Sequence, residues 1–70
     1  MSRAMNLTLS ETDVRQRCEQ HGILISAIEP LPQGGTHLVC VNSQGADMMR
    51  EHYGAHVITG RVQRHAFYRG

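Results

Sequence analysis

The chain has 70 residues, of which 40% are hydrophobic and 19% are charged, and its formal net charge is +1. This length allows one domain, which we assign to residues 1–70, and it excludes a multi-domain enzyme. The nearly neutral total charge excludes strong non-specific binding to duplex nucleic acid. A chain of this size buries little apolar surface, so a homodimer is an expected route to additional stability.

The two cysteines bear on the compartment in which the protein works. Cys18 and Cys40 are too few for a disulfide framework, and each lies among apolar residues. We therefore expect reduced, buried thiols and a cytoplasmic protein. No charged and then apolar leader opens the chain, and its apolar runs are far shorter than the roughly 18 residues of a membrane span, so no membrane partner is expected.

The first predicted element with clear boundaries is a helix over residues 11–21. Ser10 precedes it as an N-cap whose hydroxyl accepts a backbone N–H, and Asp13 follows three residues later, as in a capping box. Gly22 suits the left-handed residue that commonly ends a helix. These signals agree with one another and fix both ends of the helix.

Two strands are predicted next, over residues 23–28 and 36–41, because both segments are short and rich in β-branched residues. Pro30 and Pro32 end the first strand, since proline lacks the N–H that a ladder requires. The loop at 30–35 ends in two glycines, which permit the backbone of a turn. The two strands are therefore expected to pair as an antiparallel hairpin.

A second helix is predicted over residues 44–53, with Asn42 or Ser43 as its cap and Gly54 after its end. Its apolar residues recur at helical spacing on one face. A third strand is predicted over residues 56–68, parallel to the second, because a strand–helix–strand crossover usually joins parallel neighbours.

The resulting order, α-β-β-α-β, predicts an α+β fold: a small two-layer sandwich with a three-stranded mixed sheet and two helices on one face. Residues 1–6 show little pattern and are expected to be frayed. The alternative is a short strand at 6–9, which gives the ferredoxin-like order β-α-β-β-α-β.

The histidines and cysteines do not assemble into a predicted metal site. Cys18 and His21 stand three apart on the first helix, and His52 and His56 have the spacing of a helical zinc pair, although Gly54 separates them. A structural zinc site requires four ligands at compatible spacings, and no complete set is present. No nucleophile motif and no phosphate-binding glycine loop occurs either. We expect no metal, no cofactor and no enzymatic activity.

The strongest candidate for a functional surface is the C-terminal segment. Residues 56–70 contain three of the seven arginines and no acidic residue. In a strand, alternate side chains share a face. This places an arginine-rich and aromatic row on one face of the predicted third strand, which we call the C-terminal face: Arg61, Gln63, His65, Phe67 and Arg69.

Arginine and aromatic side chains are enriched where proteins bind proteins. The sequence therefore predicts a small non-enzymatic binding module with an unidentified protein partner, such as an adaptor or an occluding inhibitor of the size found in phages and mobile elements. The alternative is single-stranded nucleic-acid binding by the same face, because arginine and phenylalanine also stack on open bases.

Overall fold

In the computed structural model, the residues described are 2–59. They form three strands and two helices: β1 (Ala4–Leu7), α1 (Glu11–His21), β2 (Ile25–Pro30), β3 (Thr36–Cys40) and α2 (Ser43–Tyr53). A short 3-10 turn, Gly54–His56, follows α2. The strands make one antiparallel sheet in the order β1-β3-β2. The predicted α+β class, with two helices and a three-stranded sheet, is confirmed, whereas the described elements follow the order β-α-β-β-α and not the predicted α-β-β-α-β.

The first helix has the predicted boundaries. The Ser10 hydroxyl accepts the Asp13 backbone N–H at 3.2 Å, and Gly22 adopts the left-handed conformation with φ at 67°. The N–H of Ile23 then donates to the carbonyl of Cys18 at 2.8 Å. This is the Schellman pattern, in which the two residues after the helix satisfy its last carbonyl groups.

The second strand begins two residues later than predicted. Ile23 is buried against the helix it terminates, so its backbone belongs to the α1 cap and not to the sheet. The ladder starts at Ile25, opposite Cys40, and continues to Pro30. Pro30 is tolerated there because β2 lies at an edge of the sheet formed by the described residues, and proline occurs in edge strands.

The N-terminal segment differs from its prediction as a frayed end. Ala4–Leu7 forms β1 and pairs antiparallel with β3, from Ala4 opposite Val39 to Leu7 opposite Thr36. Met5 and Leu7 face the helices and are buried. The alternative prediction of a strand at 6–9 was therefore correct in the kind of element but placed it two residues too far along the chain. A two-residue apolar alternation is too short to distinguish these placements.

The predicted mixed sheet is also corrected, since every strand pairing within residues 2–59 is antiparallel. Val57 pairs antiparallel with Leu7, and the Ile58 N–H donates to the Asn6 carbonyl at 2.8 Å. The described start of the predicted strand over 56–68 thus lies beside β1 instead of β3. The physical reason is that β1 and β2 already occupy both sides of β3. The remainder of that predicted strand lies outside the described residues.

One core lies between the sheet and both helices. It consists of ten buried side chains: Met5, Leu7, Leu9, Val14, Cys18, Ile23, Leu38, Cys40, Ala46 and Met49. Both cysteines are free thiols and are buried, as predicted. Within residues 2–59, no helix has the length and apolar character needed to cross a membrane.

The buried thiols predict a loss of stability at high pH. Burial, and then the negative charge of a Cys40 thiolate, raise the pKa of the Cys18 thiol from 9.0 to about 11. The unfolded chain releases this proton near its ordinary pKa, so the stabilising contribution is complete below pH 9 and is lost as the pH rises towards 11. We expect the free energy of unfolding to fall by up to about 1.4 kcal/mol per pH unit in this window.

Urea unfolding at about pH 8 and about pH 10.5 tests this expectation. The Cys18→Ala variant removes the titrating group, so its stability should fall less over the same interval. An equal fall in the wild type and the variant would show that the Cys18 thiol is not the group responsible.

Candidate functional site

The five residues of the C-terminal face, Arg61, Gln63, His65, Phe67 and Arg69, lie outside the described residues, so their placement on one strand face stays a prediction. The described residues bring a different group of side chains together at the ends of the two helices.

Four side chains meet where α1 and α2 end, and we call them the imidazole cluster: Arg17, His21, His52 and Tyr53. The imidazole rings of His21 and His52 are stacked, with centroids 4.3 Å apart and an interplanar angle of 18°. His21 Nε2 and Tyr53 Oη lie at hydrogen-bond distance, 2.9 Å. The Arg17 guanidinium lies 5.2 Å from the centre of the Tyr53 ring, a cation–π distance.

Local sequence explains why these side chains project at this place. Arg17 and His21 are four residues apart and so share a face of α1. Gly22 stops that helix, which leaves His21 on its last turn, and His52 and Tyr53 close α2. Both imidazoles of the cluster therefore come from the last turn of a helix.

A pocket of about 150 Å³ opens beside the cluster, and His21 forms one of its walls. We call it the His21 pocket, and eight residues line it: His21, Gly22, Ile23, Leu24, Asn42, Gln44, Gly45 and Met48. No aspartate or glutamate is among them. Pockets for small-molecule ligands usually measure about 300–1,000 Å³, so this one is too small for most cofactors and substrates. A cavity of about 150 Å³ accepts a group the size of benzene.

Two large apolar side chains are exposed where the backbones of Leu24 and Val41 pair. Leu24 is 64% exposed and lines the pocket, and Val41 is 44% exposed. Their backbones are joined, because the Val41 N–H donates to the Leu24 carbonyl at 3.0 Å. They are the only large hydrophobic side chains exposed within residues 2–59.

Arg17 differs from the other arginines on the two helices. Arg15 pairs with Glu11 at 3.1 Å, and Arg50 contacts Asp47 at 3.5 Å. Arg17 makes no ion pair with any residue from 2 to 59, and its Nε is buried without a hydrogen-bond partner there. Arg17 lies against the ring of Tyr53, and this contact leaves the guanidinium available to a carboxylate from outside.

The fold separates the two pairs of candidate metal ligands that the sequence suggested, Cys18 with His21 and His52 with His56. The Cys18 thiol turns into the core, 4.0 Å from the sulfur of Met49, whereas His21 faces Tyr53. His52 stacks on His21, whereas His56 Nδ1 lies 3.2 Å from the Thr8 hydroxyl. Among residues 2–59, no group of three or more histidine, cysteine, aspartate and glutamate side chains could hold a metal ion.

A polar row crosses the sheet on the face away from the helices. Asn6, His37 and Glu29 are direct neighbours on β1, β3 and β2. His37 Nδ1 and Asn6 Oδ1 are 2.8 Å apart, so the imidazole donates to the amide oxygen. His37 is 6% exposed and Glu29 is 4% exposed, and a ligand therefore has little access to them. We interpret this row as part of the sheet and not as a binding site.

Comparison with family models, curated proteins and solved structures finds no match for this chain. The function must therefore be argued from the geometry of its own side chains.

Sequence reasoning missed the His21 pocket and the imidazole cluster. The spacing of Arg17 and His21 indicates one helix face, and Leu24 follows a helix-ending glycine. No local pattern, however, indicates that the ends of two helices separated by about thirty residues meet. Tertiary packing creates the site.

Proposed function

We propose that this chain is a small non-enzymatic protein-binding module that acts as an adaptor or an occluding inhibitor. The observation that carries the proposal is the exposure of Leu24, which lines the His21 pocket, and of Val41, whose backbone N–H donates to the Leu24 carbonyl. Contiguous apolar side chains rimmed by polar ones mark interaction sites on soluble proteins. The imidazole cluster next to them contains arginine and tyrosine, which are enriched at binding hot spots.

The proposed occupant of the pocket is one apolar side chain of the partner. The volume of about 150 Å³ matches such a group, and no carboxylate lines the walls. Leu24 and Met48 supply apolar surface at the pocket, and Gln44 and Asn42 supply polar groups. A buried anchor surrounded by contacts that exclude water is the usual arrangement of an interface hot spot.

Charge complementarity supports an acidic residue close to that anchor. Arg17 is held against Tyr53 and makes no ion pair within residues 2–59. A guanidinium presents several donors that match the two oxygens of a carboxylate. We therefore propose a partner segment in which an aromatic or aliphatic anchor stands next to an aspartate or glutamate.

Selection from a library of random displayed peptides tests the proposal directly. We expect the selected peptides to share an apolar anchor with a neighbouring acidic residue. Leu24→Asp should weaken their binding roughly tenfold or more, since burial of a leucine is worth about 1.5–3 kcal/mol. Arg17→Gln should weaken binding about two- to fivefold, as expected for a partly exposed ion pair.

Arg15→Gln is the matched control for Arg17→Gln, because Arg15 lies on the same helix but pairs with Glu11. It should leave the affinity unchanged. Peptides that bind Leu24→Asp as tightly as the wild type would contradict the proposed surface.

The C-terminal face remains a second predicted contact surface. If Arg61→Ala or Phe67→Ala abolishes peptide binding and Leu24→Asp does not, the partner binds there instead. If no peptide is selected and a labelled single-stranded oligonucleotide binds with an affinity that falls steeply with salt, the nucleic-acid alternative replaces the protein-binding proposal.

A further inference from the structure

We infer that residues 60–70 bind across the face of the sheet that lies away from the helices, with an arginine of this segment bonded to the Glu29 carboxylate and an aromatic ring packed on Leu31. We call this face the outer face, and the argument uses four of its side chains: Asn6, Glu29, Leu31 and His37. The inference uses neither the His21 pocket nor the imidazole cluster, so it does not depend on the proposed function.

The outer face is buried although neither helix packs on it. Glu29 is 4% exposed, and His37 and Leu31 are each 6% exposed. Leu31 stands two residues after Glu29 and shares its side of the sheet, since the Leu31 N–H extends the ladder by donating to the Gly35 carbonyl at 3.0 Å. Both helices pack on the other face, and Leu31 is not one of the ten core side chains. Another part of the chain must therefore cover these three residues.

Residues 60–70 are the part of the chain that can reach this place. The last described segment runs beside β1 at the edge of the sheet, where the Ile58 N–H donates to the Asn6 carbonyl. Outside the described residues the chain has Met1 and residues 60–70. Neighbouring strands lie about 4.8 Å apart, so β2 is about 14 Å from the edge segment. The eleven residues from 60 to 70 span up to about 36 Å when extended, which is enough to cross all three strands.

The composition of residues 60–70 is complementary to the outer face. The segment contains three arginines and no acidic residue, and it ends with Phe67 and Tyr68 close together. Burial of an ionised carboxylate such as that of Glu29 is costly unless the carboxylate is paired, and a guanidinium can donate to both of its oxygens. An aromatic ring supplies apolar surface for Leu31. We therefore expect the predicted C-terminal face to contact the chain's own sheet in the free protein.

Nuclear magnetic resonance of the full chain tests this contact. We expect nuclear Overhauser contacts from the Leu31 methyl groups to the ring protons of Phe67 or Tyr68 in the wild type. Glu29→Gln removes the charge and keeps the size of the side chain, so it should release the segment. Trypsin, which cuts after arginine, should then cleave within residues 60–70 about tenfold faster or more, as expected from the loss of a hydrogen bond to a charged group.

Glu51→Gln is the matched control, because Glu51 is an exposed carboxylate on α2, and it should leave the cleavage rate unchanged. Cleavage after Arg15, within α1, reports unfolding of the whole domain. Release of the segment raises the rate within residues 60–70 alone. If Glu29→Gln raises both rates together, the ring contacts of the wild type decide.

A wild type in which Leu31 contacts no residue from 60 to 70 would overturn the inference. Equal cleavage of the wild type and Glu29→Gln within this segment would overturn it as well. Neither measurement uses a partner, so a failed peptide selection leaves this test intact.

Discussion

Leu38→Ala is expected to lower the free energy of unfolding by about 2–5 kcal/mol, the range for large-to-small changes in a protein core. Leu38 is 0% exposed and lies in the middle of β3, the central strand of the sheet. Removing its side chain leaves a cavity between the sheet and the helices. Domains gain only about 0.05–0.15 kcal/mol of stability per residue, so this loss is a large fraction of the total.

Val39→Ala is the matched control, because Val39 is the next residue of the same strand and points to the other face. It is half-buried and lies outside the core cluster. Urea unfolding should show a much smaller loss for this variant than for Leu38→Ala. Equal losses would mean that the sheet does not have a single core face.

The elements with local signals were predictable from the sequence. A cap hydroxyl, a carboxylate three residues later and a terminal glycine act within one or two helical turns, so they fixed both ends of α1. The hairpin loop was likewise marked by proline and glycine.

The strand at the N-terminus was not predictable to the same degree. Ala4–Leu7 has only four residues, and its pairing partner, β3, lies about thirty residues away. Its stability comes from burying Met5 and Leu7 against a core that the whole chain assembles. Once β1 occupies that side of β3, a parallel third strand beside β3 is excluded.

The candidate site depends on the same long-range packing. The sequence grouped the histidines by their spacing along one helix, whereas the fold pairs His21 on α1 with His52 on α2. It placed both Ile23 and Leu24 in the strand predicted over residues 23–28, whereas in the structure Ile23 belongs to the helix cap and is buried, and Leu24 is exposed. Two consecutive residues thus differ completely in role: Ile23 belongs to the core, and Leu24 belongs to the proposed binding surface.

The same close packing of β1 against the hairpin predicts the second large effect, at Gly35. Gly35→Ala should lower the free energy of unfolding by about 2–5 kcal/mol. This figure combines the strain of a positive φ, about 1–2 kcal/mol, with that of overpacking, about 1–3 kcal/mol. Gly35 has φ at +89°, and a Cβ there would overlap the carbonyl oxygen of Leu7. That oxygen belongs to the backbone of β1 and cannot turn aside as a flexible side chain does.

Gly34→Ala is the control that separates the two contributions. Gly34 has φ at +103°, but a Cβ there would meet nothing within 4 Å. Gly34→Ala should therefore lower the free energy of unfolding only by the conformational strain, about 1–2 kcal/mol. Urea unfolding of both variants measures the difference, which we attribute to the contact with Leu7. Equal losses at the two positions would mean that β1 does not pack closely against the hairpin loop, and the placement of the N-terminal strand would then be wrong.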